Sequence, residues 1–169
     1  MKLLLSVFLL IGFSVCCKSQ SNKQNGDAAF DFFDITFYSS TCNGTCPDLT
    51  MSINSQGKVQ LIRDIYKSKG VVDSTKSGAF NGEISKKDFD KLLSLIKEIN
   101  WDRLDWPKVM CCDLPVKTVM VGVNGRSKNY KSMKWPQEAD NLIDFLTKLA
   151  SSVNLPAYDG AMDFEFMKD

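Results

Sequence analysis

The chain has 169 residues with 21 basic and 20 acidic side chains, six cysteines and no histidine. The missing histidine excludes Ser-His and Cys-His nucleophile pairs and any His-ligated metal. The even charge balance argues against a nucleic-acid partner, which calls for a basic patch or stripe.

The chain opens on "MKLLLSVFLLIGFSVCC", in which Lys2 precedes an apolar run from Leu3 to Val15. That is the layout of a signal peptide, and the run falls short of the about 20 apolar residues a transmembrane helix needs. Residues 1–16 are therefore expected to be a signal peptide. The exit through Cys16 and Cys17 into "KSQSNKQNGD" resembles the end of a bacterial lipoprotein signal, in which the cysteine after the cleavage point carries the lipid. Cys17 is the expected lipidated residue, with Cys16 as the alternative; a plain secretory signal without an anchor is the competing reading. Either reading places the mature chain outside the cytoplasm, where disulfides persist; with the lipid anchor the expected address is the cell envelope, at the periplasmic face or outer membrane. Loss of Lys2 leaves 20 basic and 20 acidic residues, a net charge near zero. A polar linker is expected over 17–29, one domain over 30–154 and a tail over 155–169.

Along that domain, "FFDITFYSS" places Phe33, Ile35 and Phe37 on one face at the period of a half-buried strand. Leu49, Met51 and Ile53, then Val59 and Leu61, alternate on either side of Ser55-Gln56-Gly57, which predicts a hairpin. A polar loop and a further strand near Lys76 to Ile84 follow. Ser85 and Asp88 form a variant capping box that opens an amphipathic helix with Phe89, Leu92, Leu93, Ile96 and Ile99 on its apolar face. Val119, Val121 and Val123 alternate up to Asn124-Gly125, a strong hairpin signal. Pro136 reads as a first-turn residue of a second helix, whose apolar face is Leu142, Phe145, Leu146, Leu149 and Val153. The tail is open between an edge strand, a docked arm and disorder. Strands, helix, strands, helix predicts a single α+β domain, with an antiparallel sheet of five to six strands and two helices on one face.

Four cysteines remain in the mature domain, Cys42, Cys46, Cys111 and Cys112, and these allow three pairings. Asn43-Gly44 can bend the chain enough to bring Cys42 and Cys46 into disulfide range. A vicinal Cys111–Cys112 bond is strained, so these two stay open as free thiols or as partners for the first loop. A redox site would place its thiols at a helix start, where the dipole stabilises a thiolate; here a strand-like alternation follows Pro47. The spelling Cys-x-x-x-Cys-Pro resembles copper chaperones of the Sco type, which add a histidine ligand that this chain lacks. Four thiolates could hold zinc by ligand count, in competition with disulfide formation. Asn43-Gly44-Thr45 spells a glycosylation acceptor and reads as coincidence. No metal and no cofactor is expected.

Asp113, Trp106 and Tyr130 are the candidate surface site. Asp113 lies beside Leu114-Pro115, where a turn aspartate is the commoner role. Trp101, Trp106 and Trp135 make either a sugar- or peptide-binding platform or packing at the core's edge. Tyr130 and Lys131 are most simply strand-face residues.

Cys42, Gly44, Cys46 and Pro47, then Gly57, then Ile84 to Phe89, then Asp113 and Pro115 occur together in one order. From about Asp34 to Val153 this combination resembles a domain of unknown function found in small lipoproteins and secreted proteins of Gram-negative bacteria. The resemblance implies the α+β fold and the envelope address and supplies no activity. Cys111-Cys112 just before Asp113 departs from the family pattern and leaves room for a second bond. The expectation is a lipid-anchored, non-catalytic binding or accessory module for a protein, peptide or glycan. The alternative is a thiol redox or metal-handling protein working through Cys42 and Cys46.

Overall fold

The computed structural model describes residues 30–109 and 113–164. The residues expected as signal and linker, with Cys16 and Cys17, and the pair Cys111 and Cys112 lie outside the described residues. The elements in chain order are β1 (Phe32–Ser39), β2 (Asp48–Asn54), β3 (Lys58–Asp64), β4 (Tyr66–Ser68), β5 (Val71–Val72), β6 (Gly78–Glu83), α1 (Lys86–Glu98), β7 (Lys117–Val123), β8 (Arg126–Ser132), a 3-10 turn (Gln137–Ala139) and α2 (Asp140–Ser152). Six strands form one sheet in the order β6-β3-β2-β1-β7-β8, and every neighbouring pair is antiparallel. β4 and β5 make a separate two-stranded sheet. The fold is a single α+β domain, as the element order predicts.

Strand alternation sorts the sheet into two faces. One row runs across all six strands through Phe80, Leu61, Met51, Phe37, Val119 and Tyr130. The strand residues of this face join Leu92, Leu95 and Ile96 of α1 and Leu142, Ile143, Leu146 and Leu149 of α2 in one apolar core, so both helices cover the same face. Burying each such Leu, Ile or Phe contributes about 1.5–3 kcal/mol, which is what holds the helices down. The opposite face carries polar rows, as in Asn81, Gln60, Ser52, Thr36, Met120 and Asn129.

The first strand departs from simple alternation. Phe33 is 46% exposed and Phe32 is buried in its place, beside Ile35 and Phe37. A register shift between Phe32 and Asp34 is the reason: the bulge inserts Phe33 as an extra residue and lets two positions an odd number apart face the core together. The hairpins follow the turn chemistry. Asn124 (φ 52°) and Gly125 (φ 71°) form the two-residue turn with positive φ at both positions, and Gly57 (φ 76°) closes the β2–β3 loop.

Ser85 caps α1 by accepting the Asp88 N–H at 3.1 Å, and its hydroxyl donates to the Asp88 carboxylate at 2.7 Å. The shorter Asp thus returns to the serine hydroxyl. Leu95 is buried on α1 beside the expected apolar residues. Pro136 precedes the helix instead of standing inside it: its ψ of 151° is extended, Gln137–Ala139 forms a 3-10 turn, and α2 begins at Asp140. The stretch expected as a polar loop holds the β4–β5 hairpin. The tail docks against β6, where the Asn81 N–H donates to the Pro156 carbonyl and the Tyr158 N–H to the Ala79 carbonyl. That arm covers one edge of the sheet and leaves β8 as the other.

Candidate functional site

β8 carries more potential recognition chemistry than any other element, because it is an edge strand backed by aromatics and bordered by cations. Its residues Lys128, Tyr130 and Ser132 alternate onto the helix-covered face. The segment that follows α1 passes beneath them. Ser132 Oγ donates to the Pro107 carbonyl. The Met133 N–H donates to the Val109 carbonyl at 3.1 Å.

Tyr130 sits between two indoles, stacked on Trp106 at a centroid distance of 5.1 Å and tilted against Trp101 at 5.7 Å. Its hydroxyl donates to the Trp101 carbonyl at 2.8 Å, and burial pushes its phenol pKa up. Trp101 in turn donates its indole N–H at 3.0 Å to the Ile96 carbonyl, which also accepts the Ile99 N–H in the last turn of α1. Trp101 and Trp106 are each only 8% exposed, so their ring faces serve the stack and offer no open platform. The Trp106 Nε1–H has no acceptor among the described residues. Trp135 lies elsewhere, beneath the Lys117 ammonium at 4.0 Å. Lys117 itself is buried, and that burial lowers its pKa.

Of the expected trio, then, Trp106 and Tyr130 are brought together. Asp113 is an exposed residue on the approach to β7. Sequence reasoning passed over Asp102, which binds Lys128 at 2.9 Å and Arg126 at 3.7 Å. The hydrogen bond from Lys128 holds the Asp102 carboxyl below its usual range. A groove of about 560 Å³ lies here, lined among others by Lys97, Trp101, Asp102, Arg126 and Lys128. The signal that would have found it is charge segregation: Lys117, Arg126, Lys128, Lys131 and Lys134 stand between Asp113 and Glu138 with no acidic residue among them.

Cys42 and Cys46 form a disulfide with their Cα atoms 5.0 Å apart. Asn43 (φ 35°) and Gly44 (φ 78°) bend the loop between them into the left-handed region, as the Asn-Gly spelling permits. The stapled loop joins β1 to β2 and grips the β4–β5 hairpin through the Gly70 N–H, which donates to the Gly44 carbonyl at 2.9 Å. Beyond the grip, Val71 and Val72 are 52% and 41% exposed. No group of three or more Cys, Asp or Glu among the described residues could hold a metal. Among the described residues no helix is long and apolar enough to cross a membrane.

The fold and this edge define a small α+β domain with a disulfide staple and an aromatic-backed basic strand. Residues 33–151 match the domain of unknown function DUF6438, so the chain belongs to that family. No curated protein matches the chain.

Proposed function

We propose that the chain is an exported envelope protein of a Gram-negative bacterium, tethered by lipid on Cys17, with its domain acting as a non-catalytic binding or accessory module. The observation that carries this reading is the Cys42–Cys46 disulfide. A disulfide persists in an oxidising compartment, and the signal-like start of the chain supplies the route there. The lipoprotein-like exit at Cys16-Cys17 adds the anchor. The position of the disulfide speaks for a staple over a redox centre: Cys46 runs through Pro47 into β2, so no helix N-terminus stands behind the thiols.

The test is to replace Cys17 and Cys16 in turn and fractionate cells. Release of the protein from the membrane fraction by Cys17→Ser supports the tether. Retention by both single variants and by the double variant overturns it. Free-thiol counting on the native protein checks the staple, which should resist the glutathione pool.

A further inference from the structure

We propose that the free edge of β8 is a docking strand for an extended acidic peptide segment of a partner protein. This rests on the reading of the domain as a binding module and names its partner's chemistry.

The two edges of the sheet are treated differently. β6 is occupied by the chain's own arm through Pro156, Ala157 and Tyr158. Among the described residues β8 has no such cover over its middle. Arg126 and Val123 flank the two-residue turn and so exchange hydrogen bonds, and the same pairing recurs at Lys128, Tyr130 and Ser132. The N–H and C=O groups of Ser127, Asn129 and Lys131 therefore point away from β7. All three residues are exposed, and their outward groups have no partner among the described residues. An open row of this kind accepts an added strand by main-chain hydrogen bonding.

Charge selects the occupant. An added strand lies about 4.8 Å from β8. Its alternate side chains would fall beside Arg126 and Lys128 on one face and Lys131 on the other, with Lys134 just beyond. Asp102 offsets part of the charge of the first two and leaves a net positive edge. A second copy of the chain would bring a second set of the same cations to the seam, which disfavours edge-to-edge pairing. An acidic extended segment meets both requirements at once. The groove lined by Trp101, Arg126 and Lys128 gives its side chains room.

The test uses the full chain in detergent with a fluorescent, blocked peptide alternating glutamate with valine. Binding should protect the amides of Ser127, Asn129 and Lys131 from hydrogen exchange and should weaken with salt. Asn129→Pro removes an outward N–H without touching the β7 ladder and should abolish binding. Lys131→Glu with Lys134→Glu, both on exposed positions, should weaken it at least about tenfold and serves if the proline variant fails to fold. Cys17→Ser should bind as the parent does, so a failed tether and a failed docking strand are told apart. The proposal is overturned by unchanged binding in the variants, by protection elsewhere on the sheet, by the same protection arising from self-association without peptide, or by full competition from phosphatidylglycerol vesicles.

Discussion

Arg63 on β3 is tied to Ala150 on α2: its Nη1 donates to the Ala150 carbonyl at 3.1 Å and, at the same distance, to the Val153 carbonyl. Its Nε donates to the Lys76 carbonyl at 2.8 Å, and its guanidinium lies 4.5 Å from the centre of the Phe80 ring. The residue is buried, and no carboxylate forms an ion pair with it among the described residues. What compensates its charge is the negative end of the α2 dipole and the orphan carbonyls there. The sheet and the second helix are thus joined by a cation that also caps the helix.

Arg63→Met should therefore destabilise the fold by about 2–4 kcal/mol, because it leaves helix carbonyls unpaired in a buried place. Arg63→Lys should recover only part, since one ammonium cannot reproduce the fork. Urea unfolding with an unchanged slope and a lower midpoint is the expected record.

Replacing Cys42 and Cys46 together by serine should lower stability by only about 2 kcal/mol, because the loop that the bond closes is short. The local effect should be larger than the global one. The Gly70 amide, held by the Gly44 carbonyl, should exchange faster, and the 66–72 hairpin should become the first site of proteolysis. Gly44→Ala should destabilise by about 1–2 kcal/mol with the bond intact. Its φ is positive, and a Cβ there would come within 3.2 Å of the Gly70 nitrogen.

Asp48 and Asp64 stand directly opposite each other on β2 and β3. Burial, and then the Asp64 charge, hold the Asp48 carboxyl above its usual range. A pKa raised on folding gives a contribution that is complete below the unfolded value of about 3.9 and is lost as pH rises through the folded value. Asp48→Asn should match the parent at pH 3 and exceed it in stability at neutral pH. It should also ease the titration of Tyr38, whose pKa is raised by burial and, secondarily, by Asp48. Thermal melts across pH and an ultraviolet phenol titration read the two effects.

Tyr130→Phe should keep the aromatic stack and lose the hydrogen bond to the Trp101 carbonyl, at a cost of about 1 kcal/mol. Tyr130→Ala should cost more, because it removes the ring between Trp101 and Trp106. Denaturant midpoints measure both, and a red shift of tryptophan emission in the alanine variant alone would separate packing from hydrogen bonding.

The elements with strong local signals were legible in the sequence. Ser85 announced α1, Asn124-Gly125 fixed a hairpin, and Val119, Val121 and Val123 declared the face they bury. Where local periodicity met a tertiary demand it failed, as at Phe33, displaced outward by a bulge that lets Phe32 reach the core. Leu95, three residues after Leu92 and four before Ile99, fits the same helical period and is buried with them. The candidate site was legible in part. Trp106 and Tyr130 lie 24 positions apart, and nothing in their spacing says that they stack; only the return of the chain beneath β8 brings them together.

The sequence by itself determined the α+β class and the two hairpin turns and favoured a bond between Cys42 and Cys46 among three pairings, because each follows from φ preferences, hydrophobic period or a short covalent loop. Tertiary structure decided which sheet edge the arm at Pro156–Tyr158 closes and which stays open among the described residues. It also decided that Arg63 would serve α2 and that Asp102 would meet Lys128. These outcomes join residues far apart in the chain, and their free energy arises only when strands and helices have already packed, so no local pattern carries them.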